Sequence, residues 1–320
     1  MRKSFVLGAL ILLQTLNLFA QPAIQNPVIR TDLPDPSIIR IGSTFYSAGT
    51  SGNAERVYPV YESKDLVNWI PRNTVFDQWP EWTAGAFWAP ELYENNGKIL
   101  CYYTALQKSD RTSCIGVAIA DNINSSFIDK GPIIKTTNEA IDAYVIKVGE
   151  QLYITWKAYG LDPSRRPIEL LAQKLSADGL KLEGEPFTML RDDERIGMEG
   201  QCIFKEGEYY YILYSIRDCC SPQSDYAVSV ARSKNFYGPY EKFSGNPILK
   251  GNGVDIQSCG HGTMVRTAKN KMYYLCHAYF IGKYKKGRQP ILEELKMGKD
   301  GWPYFVGGNE ALSKIKVKGI

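Results

Sequence analysis

Three acidic residues begin similar sequence segments and could act together in acid–base chemistry. They are Asp35 in Pro-Asp-Pro, Asp142 in Ile-Asp-Ala and Glu199 in Met-Glu-Gly. Hydrolysis of a glycosidic bond needs a carboxylic acid that protonates the leaving oxygen and a carboxylate on the opposite side of the sugar. Three such side chains gathered around one opening would therefore suit this reaction.

The local sequence gives each acidic residue a different candidate role. Prolines on both sides of Asp35 restrict its backbone and favour it as the general base. Glu199 has an extra methylene with which to reach the glycosidic oxygen, and Gly200 leaves room beside it, so Glu199 is the candidate general acid. Asp142 is expected to raise the pKa of Glu199 and keep it protonated. Each motif alone is also common in turns, loops and strand starts.

A repeat along the chain explains how these residues could meet. Five segments share one pattern, in which a polar residue precedes a short apolar strand, a turn and a Tyr-rich strand. Their first residues are Asp35, Glu91, Asp142, Glu199 and His261, at intervals of 56, 51, 57 and 62 residues. Such intervals are typical of the four-stranded blades of a β-propeller.

The repeat predicts an all-β chain that forms one five-bladed β-propeller over residues 21–320. No stretch after residue 20 has a long helical apolar period. The first strand of each blade lines the central channel of a propeller. The five leading residues should therefore form one ring at a channel mouth.

The first 20 residues are predicted to be a cleaved signal peptide. Arg2 and Lys3 precede an apolar run over residues 5–13, and Ala20 offers a small residue for cleavage. The run is too short for a membrane span, so we expect a secreted or periplasmic protein. Cleavage would lower the formal net charge from +4 to +2, because it removes two basic residues, and this argues against nucleic-acid binding.

Composition bears on ligands and on redox chemistry. The 21 Tyr and 6 Trp against 2 His favour carbohydrate-facing surfaces over a multi-histidine metal centre. The seven Cys have neither the spacing of a disulfide scaffold nor that of a zinc site. Cys101, Cys202 and Cys276 lie in apolar runs and are predicted to be buried thiols. The sequence gives no interpretation for the adjacent pair Cys219-Cys220.

The ordered motifs of the chain resemble those of glycoside hydrolase family 43. They read PDPSII, WAPE, IDAYVI, MEGQCIFKEGEYYYILYS, GPYEKFSGNPIL, GHGTMV and GRQPILEELKMGKDGWP, from about Asn26 to Pro303. The resemblance implies a five-bladed propeller that hydrolyses with inversion of configuration. It implies that Asp35 is the general base, Asp142 the pKa modulator and Glu199 the general acid.

The resemblance also implies roles for other residues. Trp88 would stack on a sugar at the substrate mouth, and Arg288 would bond sugar hydroxyls. His261 would be the axial histidine, which in this family often contacts a hydrated Ca²⁺ whose shell waters complete. Glu91 would be structural, and no organic cofactor is expected. The alternatives are core packing for Trp88, a surface charge for Arg288 and a hydrogen bond within the channel wall for His261.

The substrate remains open among plant oligo- and polysaccharides. Arg288 and a chain that ends soon after the fifth segment favour an exo-acting enzyme, most of all an α-L-arabinofuranosidase. A β-xylosidase or xylan-directed hydrolase and an endo-arabinanase are the alternatives. Two other classes are a carbohydrate-binding propeller without turnover and a retaining transferase or fructan hydrolase. We expect a monomer.

Overall fold

The computed structural model describes residues 24–135, 139–158, 167–193 and 196–317. The predicted signal peptide, residues 1–20, lies outside these ranges and stays a prediction. Nearly all regular structure in the described part is β-strand, apart from one turn of 3-10 helix at Tyr284–Lys286. None of the described helical structure is long and apolar enough to cross a membrane.

Five antiparallel four-stranded sheets, here called blades, follow the short strand β1 (Ile24–Gln25). Blade one contains β2 (Ser37–Ile41), β3 (Thr44–Ala48), β4 (Val57–Ser63) and β5 (Trp69–Phe76). Blade two contains β6 (Trp88–Asn95), β7 (Lys98–Leu106), β8 (Ser113–Ala120) and β9 (Ile128–Ile134). Blade three contains β10 (Ala140–Val148), β11 (Gln151–Ala158), β12 (Ile168–Leu175) and β13 (Leu182–Asp192).

The last two blades repeat this arrangement. Blade four contains β14 (Glu199–Glu206), β15 (Tyr209–Ile216), β16 (Ala227–Ser233) and β17 (Glu241–Lys242). Blade five contains β18 (Ile256–Arg266), β19 (Met272–Phe280), β20 (Gln289–Met297) and β21 (Pro303–Phe305), and β22 (Lys314–Ile315) follows it. The strands of every blade pair in chain order.

The first strands of neighbouring blades contact one another around a closed ring, from β2 through β6, β10, β14 and β18 and back to β2. Strand β14 begins at its leading residue Glu199, and β2 begins just after Asp35, whereas Glu91, Asp142 and His261 lie within β6, β10 and β18. The predicted five-bladed β-propeller is confirmed. The hairpin signals are confirmed as well: Gly42, Gly149 and Gly207 adopt φ values of 61°, 60° and 57° in the turns after the first strands.

Apolar side chains between the blades hold the ring together. The second strands are buried on both faces, as in β19, because each blade packs against the next. Their aromatic and β-branched residues suit such a surface. Cys101, Cys202 and Cys276 are buried free thiols, as predicted, whereas Cys219 and Cys220 form a disulfide.

The two ends of the described chain meet beside blade five. Strand β1 pairs with β22, and the side chain of Asn26 continues this connection inside the protein. Its amide nitrogen donates to the carbonyl oxygens of Leu292 and Leu312, at 3.2 and 2.8 Å, and its oxygen accepts from the Leu292 N–H at 3.1 Å. One buried amide therefore ties the start of the propeller to its last blade.

We expect Asn26→Ala to lower the free energy of unfolding by about 2 kcal/mol or more, because it leaves buried backbone groups of Leu292 and Leu312 without a partner. Urea unfolding measures the change. Asn124→Ala is the matched control, since Asn124 is exposed and its replacement should change stability by less than about 0.5 kcal/mol. Equal stability of the two variants would contradict this account of the closure.

Candidate active site

A cavity of about 230 Å³ lies where the first strands of the blades begin, and we call it the central cavity. All the predicted site residues line it, namely Asp35, Trp88, Asp142, Glu199, His261 and Arg288. Glu139, Ile141, Lys157 and the Cys219–Cys220 pair complete its lining. The structure therefore brings together side chains from all five blades.

Irregular backbone aims several of these side chains at the cavity. Asp35, Asp142 and His261 adopt φ values of 53°, 59° and 41°, which non-glycine residues adopt rarely. The pairing register shifts at Asp142, just after Glu199 and at His261. Such β-bulges commonly redirect side chains next to active sites. Sequence periodicity carries no signal of these bulges.

Asp35 is a buried carboxylate with several polar neighbours. The Thr50 hydroxyl donates to Oδ2 at 2.6 Å, and Nη1 of Arg288 donates to Oδ1 at 3.3 Å. Nδ1 of His261 lies 3.3 Å from the same oxygen. Burial alone would raise the pKa of Asp35, but Arg288 and His261 outweigh it and hold the pKa well below its usual range. Asp35 is therefore ionised at neutral pH.

A second histidine, which the sequence did not single out, fixes the backbone of Asp35. The backbone N–H of Asp35 donates to Nδ1 of His277 at 3.0 Å. The ring of His277 stacks on Tyr226 with centroids 5.6 Å apart. Burial lowers the pKa of His277 to about 4, so the ring is neutral and Nδ1 can accept. His277 lies in the Tyr-rich second strand of its repeat, where nothing marks it as a site residue.

Asp142 is buried between His261 and the start of β14. Its Oδ2 accepts the Gly200 N–H at 3.0 Å and lies 3.8 Å from Nδ1 of His261. Its own N–H donates to the Thr104 hydroxyl at 3.2 Å. Burial raises the pKa of Asp142 to about 7; His261 opposes the shift, and the nearby Glu199 carboxylate adds to it. Asp142 can therefore change its charge near neutral pH.

Glu199 is less buried than either aspartate, with a side chain 20% exposed. The hydroxyl of Tyr226 donates to Oε1 at 3.0 Å, and Nζ of Lys157 lies 3.2 Å from Oε2. The sequence does not single out Tyr226 or Lys157: Lys157 lies inside β11, and Tyr226 immediately precedes β16. A Cβ on Gly200 would lie 2.6 Å from Cγ of His261, so the glycine leaves room for the His261 ring.

These contacts form one path that connects the three carboxylates. His261 lies beside both Asp35 and Asp142, and Asp142 accepts the N–H of the residue that follows Glu199. The path joins an ionised carboxylate, a carboxyl group that titrates near neutrality and a partly exposed carboxyl group with a phenol and an ammonium group beside it. Such a set can accept and donate protons on different sides of a bound molecule.

Two further residues named in the sequence analysis are Trp88, from the resemblance, and Glu91, from the repeat. Trp88 is 38% exposed at the cavity, so it is not a core residue. Glu91 is buried outside the cavity lining, and its Oε2 accepts the Ser37 hydroxyl at 2.8 Å. Burial raises its pKa to about 8, which keeps it protonated. Its structural role is therefore supported.

The residues around His261 offer few ligands for the expected calcium ion. Within the described ranges, no three or more His, Cys, Asp or Glu side chains are grouped as a metal site. His261 would offer one nitrogen, whereas Ca²⁺ prefers six to eight oxygen ligands. Water would have to supply the remaining ligands, and calcium binding stays a prediction.

Known proteins share this architecture. The chain is 28% identical to a beta-xylosidase of Bacillus subtilis (strain 168), over 93% of this chain and 59% of that protein. It is 29% identical to an extracellular exo-alpha-(1->5)-L-arabinofuranosidase of Cellvibrio japonicus (strain Ueda107), over 86% of each chain. A thermostable family-43 glycoside hydrolase has the same fold, with a TM-score of 0.79 and 24% identity over 90% of this chain and 97% of that one.

The family model described as Glycosyl hydrolases family 43 matches residues 24–303, from β1 to the start of β21. The match thus spans all five blades and every predicted site residue. The chain nevertheless spans less than two thirds of the length of the Bacillus relative, 59% of it. The propeller, the order of its motifs and the family match agree, and the chain belongs to glycosyl hydrolase family 43.

Proposed function

We propose that the protein is an inverting glycoside hydrolase in which Asp35 is the general base and Glu199 the general acid. The observation that carries the proposal is that these two residues, from blades one and four, line one small cavity in contrasting surroundings. Asp35 is held ionised by Arg288 and His261. Glu199 has a hydroxyl donor and an ammonium group beside its two oxygens.

The proposed reaction is a single displacement at the anomeric carbon. Asp35 takes a proton from a water molecule as that water attacks the carbon, while Glu199 gives its proton to the leaving oxygen as the glycosidic bond breaks. Attack from the face opposite the leaving group inverts the configuration. Exchange of protons with solvent then restores ionised Asp35 and protonated Glu199.

Two neighbours act on Glu199 in opposite directions. Negative charges on Asp142 and Glu199 repel each other, so the pair favours a single negative charge, and we propose that in the reacting state Asp142 carries this charge and Glu199 carries the proton. Lys157 favours the negative charge that proton donation leaves behind, because its ammonium group lies 3.2 Å from Oε2. Asp142 thus fits the role of pKa modulator, and Lys157 is an additional residue of the proton donor site.

We propose an exported, exo-acting α-L-arabinofuranosidase as the activity. A cavity of about 230 Å³ suits one terminal sugar better than a long chain, and Arg288 at its lining can bond sugar hydroxyls. The Cellvibrio relative with an exo-arabinofuranosidase name matches over nearly its whole length and is named extracellular. β-Xylosidase is the second candidate, because the Bacillus relative bears that name. Endo-arabinanase is the third.

We expect Asp35→Asn and Glu199→Gln each to lower kcat/KM by about 10²-fold or more, because each removes one of the proton transfers. The assay is release from aryl α-L-arabinofuranoside and aryl β-xyloside side by side, followed by arabinan and arabinoxylan. Glu208→Gln is the matched control, since Glu208 is exposed and pairs with Lys234 at 3.1 Å, outside the central cavity lining.

The same assay separates hydrolysis from sugar binding without turnover. Faster release from the arabinofuranoside supports the proposed specificity, and faster release from the xyloside replaces it with the second candidate. A wild-type protein that binds sugars and hydrolyses none of the substrates would contradict the enzymatic proposal. Wild-type rates of Glu199→Gln on arabinan or arabinoxylan, whose sugar leaving groups require protonation, would contradict its role as proton donor.

Asp142 makes stability depend on pH. The pKa of Asp142 is raised from 3.8 to about 7 in the folded protein, so its ionisation destabilises the fold. The free energy of unfolding of the wild type therefore falls as the pH rises through this window. Asparagine cannot ionise, so the unfolding free energy of Asp142→Asn relative to wild type should rise between about pH 5 and about pH 8. Urea unfolding at both pH values measures it.

Asp121 provides the control for this pH effect. It is exposed, and its hydrogen bond to Lys98 holds its pKa below the usual value, so it stays ionised across the same range. The stability of Asp121→Asn relative to wild type should therefore not vary over this range. A constant difference for Asp142→Asn would show that burial does not keep the proton on Asp142.

A further inference from the structure

The Cys219–Cys220 disulfide has no part in the mechanism above, yet both of its residues line the central cavity. The pair lies in the connection between β15 and β16, which here is called the blade-four loop (residues 217–226). The other five cysteines of the described chain are buried free thiols. The only disulfide seen in the described ranges therefore faces the cavity that holds the carboxylates.

We propose that this disulfide is a sugar-contacting wall of the central cavity that holds Arg288 beside Asp35 and thereby sets the affinity for the terminal sugar. The inference rests on the proposed function and adds a specificity-determining element to it. The ligand is the non-reducing terminal pentose of a plant oligosaccharide.

A bridge between adjacent residues has little effect on global stability. The stabilisation that a disulfide gives through the unfolded chain increases with the length of the loop that it closes. Cys219 and Cys220 are adjacent in the sequence, so the disulfide closes almost no loop. Its effect must therefore be local, on the two residues themselves and on the atoms that they touch.

The local contact is with Arg288. Nη1 of Arg288 lies 3.6 Å from Sγ of Cys220 and 3.3 Å from Oδ1 of Asp35, so the guanidinium group lies between the disulfide and the proposed base. The Arg288 backbone N–H donates to Oδ1 of Asp32 at 2.8 Å. The arginine is thus fixed at its backbone by Asp32 and at its head group by Asp35 and the disulfide.

The blade-four loop is itself fastened to blade five. The carbonyl oxygen of Cys220 accepts the Tyr284 hydroxyl at 2.9 Å and the Tyr279 hydroxyl at 3.4 Å. The hydroxyls of Ser224 and Ser258 lie 2.8 Å apart. These bonds hold the disulfide in place at the cavity, so it can act as a rigid surface.

The chemistry of a disulfide suits a sugar-facing wall. Its sulfurs are polarisable and lack the S–H donor that two thiols would carry. Sugar pockets combine apolar surface with a few polar groups that orient the ligand. Trp88 supplies partly exposed aromatic surface from blade two. The disulfide supplies a second apolar surface from blade four, and the carboxylates and Arg288 supply the polar groups.

The double variant Cys219→Ser/Cys220→Ser tests the proposal. We expect KM for the preferred aryl glycoside to rise about 10-fold while kcat changes less than about threefold, because contacts made equally in the bound substrate and the transition state act on binding. The thermal unfolding midpoint should stay within about 2 °C of wild type, since almost no loop is lost. An unchanged KM would overturn the proposal.

Reduction of the wild-type disulfide provides a second, independent test. A trialkylphosphine with water reduces the bridge to two thiols and becomes the phosphine oxide, and a thiol reagent should then count two more accessible thiols. We expect the reduced wild type to show the raised KM of the double variant. The double variant treated in the same way is the control and should not change. A reduced wild type with the original KM would overturn the proposal.

A binding measurement separates this inference from the proposed function. In the Glu199→Gln background, calorimetry with arabinose and with xylose should show about 10-fold weaker binding of the preferred sugar when both cysteines are also replaced. Equal sugar affinities with and without the disulfide would overturn the proposal that the disulfide contacts the sugar. Oxidised wild type that hydrolyses no glycoside would contradict the proposed function, whereas this binding result would still decide the inference.

Discussion

The site depends on a buried negative charge at Asp35 and on the groups that compensate it. Burial alone would raise the pKa of the Asp35 carboxyl group and favour its neutral form. Arg288, His261 and the Thr50 hydroxyl reverse that tendency. These residues come from three parts of the chain, so the charge is tolerated only after the ring of blades has closed.

The propeller creates differences among carboxyl groups that are equivalent in sequence. Asp35, Glu91 and Asp142 belong to the same kind of segment, yet within the described ranges only Asp35 has an arginine beside it. Glu91 is buried and bonded to Ser37, where it remains protonated. Asp142 titrates near neutrality because burial dominates its surroundings. Position in the ring thus decides which carboxyl group is ionised, which titrates near neutral pH and which stays protonated.

The sequence predicts the ring and its leading residues, because a repeated strand pattern determines which residues share a channel mouth. It could not predict the supporting residues. His277 and Lys157 lie inside Tyr-rich second strands, and Thr50 and Tyr226 lie in connections or at strand boundaries. Their roles follow from bulges and from contacts between blades, which have no periodic signal. The sequence likewise did not predict that Cys219 and Cys220 form a disulfide at the cavity, because the path of their loop is not encoded in a repeat.

We propose that Asp35 and Glu199 act across a gap that admits a water molecule, so that the bond is cleaved by one displacement. Inverting enzymes hold this pair farther apart than retaining ones do. The most direct test is NMR of the anomeric proton of the first-formed sugar released by the wild-type enzyme. The account predicts a product whose anomeric configuration is opposite to that of the substrate. A first-formed product with retained configuration would contradict it.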